Sequence, residues 1–256
     1  MSALLKWYMK VLMAVRAQIR RGQVRWAIQL AYEQGKSTSS VVGLLREAVF
    51  LASFWKKRIV ICSLDIRKFF ERIPHAKICE SLERLGTPAW LTYAIMRELS
   101  LTKGRARIHD TGYSEPFPIE RGAKVGATEA PDLSKDVIEY AFGEAARKWA
   151  EEGVGFRLPA CGKEADEEEE AGDDIVCSHI WWADNLFLLA SEVEDMRRIL
   201  HDISECLRTM DLEWKADSLQ VLWGEHWKEE DKVALHVTQK NGGKLVFVEV
   251  EELQVQ

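Results

Sequence analysis

The stretch His179-Ile180-Trp181-Trp182-Ala183-Asp184-Asn185-Leu186-Phe187-Leu188-Leu189-Ala190 decides the fold. Two apolar runs rich in aromatic and branched residues flank Asp184-Asn185, and the pattern predicts a β-hairpin with that pair at its tip. A carboxylate at such a tip, above a buried sheet, is placed to hold a metal ion, although an Asp-Asn turn needs no such role. Upstream, Ile59 to Leu64 is another short apolar run, and it ends on Asp65. Two strands that each deliver an Asp from an end predict one sheet with the two carboxylates side by side.

A chain of 256 residues with 47% hydrophobic content has ample material for one large domain, or for one domain with an appendage. No apolar run approaches the roughly 18 residues that span a bilayer. Cys62, Cys79, Cys161, Cys177 and Cys206 are odd in number and show no CxxC spacing, which argues against a disulfide framework or a zinc site and for a reducing, intracellular setting. The formal charge of −6 hides an uneven distribution, because Glu151 to Asp174 carries a net −8 and the first 32 residues hold six Lys or Arg and no acid. Such a balance supports a nucleic-acid partner only weakly.

Leu4, Leu5, Tyr8, Leu12, Val15 and Ile19 recur at helical spacing, with Lys6, Lys10, Arg16 and Arg20 between them, and predict a basic amphipathic helix. The same acid-free start is similar to an organellar presequence, but Trp7, Tyr8 and Trp26 and the scarcity of serine favour a domain helix. Ser37 or Thr38 caps a second helix with Val41, Leu45, Ala48 and Ala52 inward, which feeds the Asp65 strand. Helices follow over Pro74 to Leu85 and from Thr87-Pro88, then a hairpin over Arg105 to Ile119. The loop Arg121-Gly122-Ala123-Lys124-Val125-Gly126 leads into a buried helix over Ser134 to Trp149. Beyond the Asp184 hairpin, Ser191 to Glu194 reads as a capping box, and Leu219 to Leu222 and Leu245 to Val250 as closing strands. Neither GxGxxG nor GxxxxGK[ST] occurs, so dinucleotide-binding and P-loop readings have no support. The order describes an α+β fold: an antiparallel sheet with helices packed on one face.

These residues carry a family resemblance. Ser63-Leu64-Asp65-Ile66-Arg67-Lys68-Phe69-Phe70 resembles the first catalytic motif of reverse transcriptases of non-LTR retrotransposons and group II introns. Ile119 to Pro131 is similar to their second motif, commonly RGxxQGxxxSP, and Trp182-Ala183-Asp184-Asn185 to their third, commonly [FY]ADD. Leu212 to Leu222 falls where their fourth motif lies, and Ala31 to Thr38 resembles their fingers segment, commonly QxGFRxGxST. The resemblance implies partial helical fingers at 1–58, a polymerase palm at 59–224 with an acidic loop at about 159–174, and a palm end at 225–256 leading toward a primer grip. The chain is expected to begin after the fingers segment that contains an RPI-like motif and to stop before a thumb.

By resemblance, Asp65 and Asp184 are ligands of Mg²⁺ or Mn²⁺, with the backbone carbonyl of Ile66 adding a contact. Phe70 falls where these enzymes keep a ring that crowds an incoming 2′-OH, and Arg121, Gly122 and Gly126 contribute to the substrate site. The implied partners are an RNA template, a DNA primer and deoxynucleoside triphosphates, in the nucleus or cytoplasm with an organelle left open, and no membrane is implied. The alternative for Phe70 is simple core packing.

Departures from the family pattern bear on activity. Asn185 stands in place of the second Asp of the third motif, and a neutral amide is a poorer Mg²⁺ ligand. Val125 and Ala130 replace the usual glutamine and serine of the second motif. Phe69 replaces a small residue. Ser218 stands where a lysine is usual, and Lys215, three positions away, is expected to point elsewhere. Two readings follow: a reverse transcriptase-like domain, RNA-directed DNA polymerase by two-metal phosphoryl transfer, with impaired or lost activity; or a non-catalytic retroelement relic that binds nucleic acid or protein. A palm-fold nucleotidyl cyclase is disfavoured by the Arg121 to Gly126 loop.

Overall fold

The computed structural model describes residues 3–108, 112–123, 127–158, 175–241 and 244–253. Ala3–Ile19 form helix α1, Thr38–Phe54 α2, and Val60–Asp65 strand β1. Phe69–Arg72 (α3), His75–Arg84 (α4) and Ala89–Ser100 (α5) follow, then the short strands Lys103–Gly104 (β2), Arg107–Ile108 (β3), Gly112–Tyr113 (β4) and Phe117–Pro118 (β5). Ala130–Glu152 is helix α6, followed by Phe156–Leu158 (β6), Ile175–Cys177 (β7), His179–Trp182 (β8), Asn185–Ala190 (β9) and Val193–Thr209 (α7). Gln220–Trp223 (β10), His236–Asn241 (β11), Lys244–Glu249 (β12) and Glu251–Glu252 (β13) complete the elements used below. The acidic run at 159–174 and the loop residue Gly126 lie outside the described residues.

The chain gathers into two units that interleave along the sequence. One holds Met1–Arg25, Lys68–Ala141 and Met210–Leu212, and the other Trp26–Arg67, Phe142–Thr209 and Glu213–Gln256. In the first, α4 and α5 are separate helices because Gly86, at φ +78, breaks the chain and Pro88 cannot continue a helix from before it. The pairing of β2 with β5 and of β3 with β4 forms the hairpin that the pattern over Arg105 to Ile119 predicts.

Helix α1 is turned differently from its sequence pattern. Its buried face is Met9, Leu12, Met13 and Arg16, continued by Arg20 just past its end, while Leu4, Tyr8 and Ile19 are exposed. Arg16 and Arg20 both pair with the carboxylate of Asp136 on α6, which is wholly buried. The two arginines expected on a solvated face therefore lie inside, and that pairing draws their side of the helix inward.

The second unit is built on a five-stranded sheet of order β13-β10-β1-β9-β8. It is antiparallel apart from the two-residue β10–β13 pair. On one face, Ile61, Leu189 and Ile180 pack on Val41, Ala48 and Ala52 of α2. On the other, Trp181 meets Phe142 of α6 with ring centroids 4.9 Å apart, and His179 meets Trp149 at 5.8 Å. The sheet thus carries α2 on one face and α6 on the other. Strands buried on both faces read as near-continuous apolar runs, as Val60 to Leu64 does apart from Ser63.

Helix α7 buries Met196, Ile199, Leu200, Ile203 and Leu207 at helical spacing. Strands β11 and β12 pair with each other, and the Thr238 N–H donates to Ser204 Oγ of α7 at 3.1 Å. The strand expected over Leu245 to Val250 is thus present as β12, paired with β11 in a two-stranded sheet, with Leu245 and Phe247 exposed on one side of it. Cys62, Cys79, Cys177 and Cys206 are free. Among the described residues, no helix is long and apolar enough to cross a membrane.

Candidate active site

Strands β8 and β9 pair through Trp182↔Asn185, so the link between them is Ala183-Asp184 and not Asp184-Asn185. Ala183 turns the chain with φ +57, a left-handed conformation that costs a residue with a Cβ about 1–2 kcal/mol. Asn185 is the first residue of β9 and the direct partner of Asp65, the last residue of β1. With period-two alternation, Asp65 and Asn185 share a face. The Ile66 N–H donates to the Asp184 carbonyl at 3.1 Å, which ties the segment after Asp65 to the turn.

Gln29 holds that turn in place. Its side-chain N–H donates to the Ala183 carbonyl, and its Oε1 accepts the Ala183 N–H, both at 3.1 Å. The residues around it run along β8, with Trp181 N–H donating to the Ile28 carbonyl at 2.8 Å and Leu30 N–H to the Trp181 carbonyl at 3.0 Å. A bidentate amide clamp offsets the strain at Ala183 and aims Asp184.

Burial pushes the Asp65 carboxyl above the usual carboxylate range, and repulsion from Asp184 pushes it further, against the pull of Lys215. Its Oδ1 is buried with no hydrogen-bond partner among the described residues. Lys215 does not point elsewhere. Its ammonium lies 3.7 Å from Asp65 Oδ2, and its backbone N–H donates to the Asp65 carbonyl at 2.8 Å. A bridge between Ile66 and Trp214 sets this register and places Lys215 beside Asp65. Ser218 N–H and Oγ–H both donate to the Lys215 carbonyl, at 3.0 and 2.7 Å, so the serine fixes the loop that carries the lysine. Asp217 adds a further repulsion on Asp65. The Tyr32 hydroxyl has its pKa raised by burial and by Asp184.

Two carboxylates, an amide and backbone carbonyls are hard oxygen donors of the kind that suit Mg²⁺ or Mn²⁺. The orphaned Asp65 Oδ1 fits a cation as its missing partner. Among the described residues, no set of three His, Cys, Asp or Glu side chains converges on one point, so the donor set is a lean one.

The other unit carries the second group of sequence-assigned residues. Arg121, Gly122 and Ala123 are strapped along residues 70–75: Gly122 N–H donates to the Ile73 carbonyl at 2.7 Å, and Ala123 N–H to the Phe70 carbonyl at 2.8 Å. His75 Nε2 lies 2.9 Å from the Gly122 carbonyl. The Phe70 ring packs on Ala123, Ala127 and Ala130, while Phe69 beside it is fully buried. Arg121 pairs with Asp211 and donates to the Arg72 carbonyl at 3.4 Å. Gly122 has φ +83, and a Cβ there meets the Glu71 carbonyl oxygen at 2.6 Å. Gly122→Ala is expected to cost about 2 kcal/mol in urea unfolding; a change within 0.5 kcal/mol of zero, roughly the level of a neutral surface substitution, would show that the strap yields.

Sequence reasoning assigned Asp65, Ile66, Asp184 and Asn185 to one centre, and these four converge. It missed Gln29, Tyr32 and Asp217 and misplaced Lys215. Gln29 had a signal, since the family's fingers segment opens on a glutamine two positions before its first glycine, where Ala31 stands here.

A family model described as reverse transcriptase (RNA-dependent DNA polymerase) matches residues 1–231, and the chain belongs to that family. Over 84 residues it is 31% identical to the Retrovirus-related Pol polyprotein from type-1 retrotransposable element R2 of Popillia japonica, a match covering 33% of this chain and 12% of that protein. The fold is similar to that of apo telomerase from Candida Tropicalis truncated from its C-terminal domain, with a TM-score of 0.61 at 9% identity over 95% of this chain and 44% of that one. Telomerase from Candida albicans, solved in complex with the TWJ fragment of telomeric RNA, gives 0.60 at 10% identity over 90% and 36%. These structural likenesses are of fold, and the chain spans less than half the length of either telomerase.

Proposed function

We propose that this domain is an RNA-directed DNA polymerase palm with partial helical fingers and impaired chemistry. Asp65 and Asp184 would hold Mg²⁺ or Mn²⁺, with the Ile66 carbonyl as a further ligand. The ion would supply charge neutralisation at the attacking 3′ oxygen and the leaving pyrophosphate. The observation that carries this reading is the strand register, which seats Asp65 directly opposite Asn185 and next to Asp184. Gln29 holds the Asp184 turn, and burial followed by the Asp184 charge raises the Asp65 carboxyl. Phe70, braced on the alanines after Arg121, supports a steric filter against a 2′-OH. By resemblance Arg121 and Gly122 would contribute to binding a deoxynucleotide, as would Gly126, which lies outside the described residues, with an RNA template and a DNA primer as partners. Asn185 removes one negative charge from the donor set, and this supports slow incorporation.

A second reading, a non-catalytic relic that binds nucleic acid or protein, is favoured by one observation: Lys215 already engages an oxygen of Asp65. Primer extension on an RNA template with Mg²⁺ or Mn²⁺ separates the two. Weak incorporation by the chain as written, raised about tenfold by Asn185→Asp and abolished by Asp65→Ala, is the expected result. Incorporation that survives Asp65→Ala would sink the assignment, and silence from both the chain and its Asn185→Asp form would leave the relic reading standing.

A further inference from the structure

Lys215 is held against Asp65 by backbone as well as by charge. Its N–H donates to the Asp65 carbonyl at 2.8 Å, and across the Ile66↔Trp214 bridge the Arg67 N–H donates to the Glu213 carbonyl at 2.9 Å. These two bonds close an antiparallel register that leaves the lysine no other strand position. Downstream, Ser218 grips the Lys215 carbonyl with both its N–H and its hydroxyl. The residue that stands in place of the family's usual lysine therefore anchors a different lysine.

The side chains divide the Asp65 carboxylate between them. Oδ2 faces the Lys215 ammonium at 3.7 Å, and Oδ1 is buried without a partner. The lysine side chain is 48% exposed and the aspartate 21%, so burial has not forced the contact on the lysine. Around Asp65 stand Asp184 and Asp217, the two carboxylates that repel it, and Lys215. Asn185, the cross-strand partner of Asp65, contributes no charge.

We propose that the Lys215 ammonium is the resident counter-ion of Asp65, filling the charge role of a second divalent cation and weakening metal binding at that carboxylate. The inference rests on the metal-site reading of Asp65 and Asp184 above. In a two-metal centre, several carboxylates offset two dications. Here one carboxylate has become an amide, and a tethered ammonium takes up a share of the remaining charge. The ammonium also opposes entry of any ion at Oδ2, because like charges about 4 Å apart repel even in partly wet surroundings.

The test is a Mn²⁺ titration of the full chain at low ionic strength, following free Mn²⁺ by electron paramagnetic resonance. It compares the chain with Lys215→Gln, Lys215→Met, Lys215→Arg and Asp65→Asn, each checked for folding by circular dichroism. Both neutral variants are expected to bind Mn²⁺ about tenfold more tightly, the Coulomb effect of removing one nearby positive charge after solvent screening. Lys215→Arg keeps the charge and should stay within about twofold of the parent. Unchanged affinity in both neutral variants overturns the counter-ion role. If Asp65→Asn leaves Mn²⁺ binding intact, the metal-site reading itself fails. If Asp65→Asn weakens binding while the neutral lysine variants do not change it, only the counter-ion proposal falls. Binding that appears solely when Lys215 is neutralised supports the proposal, and absence of binding in every form overturns both.

Discussion

Asp136→Ala is expected to lower the unfolding free energy by about 3–5 kcal/mol, the cost of breaking a buried ion pair by removing one partner. Asp136 is fully buried on α6 and receives Arg16 of α1 and Arg20 just beyond its end, whose side chains are 3% and 4% exposed. Arg25 approaches to 3.9 Å from a more exposed position. Burial pulls the Arg20 pKa below its usual value, while the Asp136 charge pulls the other way. Removing the carboxylate strands two guanidinium groups in an interior that cannot hydrate them. Urea unfolding measures the loss, and a change below about 1 kcal/mol would mean that α1 can swing its arginines out to water, reducing the cluster to a surface-type ion pair.

Acidification should destabilise the fold through His179. Burial holds its imidazole down at about 4, against an ordinary value of 6.5. Nε2 lies 3.1 Å from both the Ile28 N–H, from which it accepts when unprotonated, and the Trp26 carbonyl, which favours the protonated ring but less than burial opposes it, and Nδ1 faces Ser178 Oγ at 2.9 Å. A folded-state pKa below the unfolded one means that the unfolded chain binds the proton first as pH falls. The stability conferred by neutral His179 is therefore complete above about 6.5 and is lost progressively down to about 4, where the loss levels off. At about 1.4 kcal/mol per pKa unit, the whole window corresponds to about 3 kcal/mol. His179→Gln should flatten this component, since an amide oxygen can accept the Ile28 N–H without titrating. Parallel stability profiles for the two proteins between those pH values would refute the assignment. The consequence reaches the candidate site, because His179 holds Ile28 on β8 and Gln29 is the next residue.

Both effects expose groups that one-dimensional patterning reads differently. Arg16 and Arg20 fall between apolar residues at helical spacing, and such positions normally face solvent. Their burial depends on a carboxylate more than a hundred residues away. Lys215 was misread for a related reason. Counting strand alternation from Ser218 presumes a continuous strand, whereas Ala216–Ser218 form a 3-10 turn and resets the phase. The hairpin tip moved by one residue because cross-strand pairing of Trp182 with Asn185, not the turn propensity of Asn185, sets the register.

What the sequence determined by itself is the local and repetitive part. Apolar runs ending on Asp65 and leading to Asp184, helical spacing in α2, α6 and α7, and the glycine of the Arg121-Gly122 strap are all legible there, because each follows from backbone sterics or from burial of one face. The ordered motifs also point to the reverse transcriptase family, to which the chain belongs. Tertiary structure alone decided which charges are inside, which lysine faces Asp65, and that the Gln29 side chain clamps the Asp184 turn. Each of these contacts joins residues far apart in the chain, and its energy depends on distance and burial, quantities that periodicity does not encode.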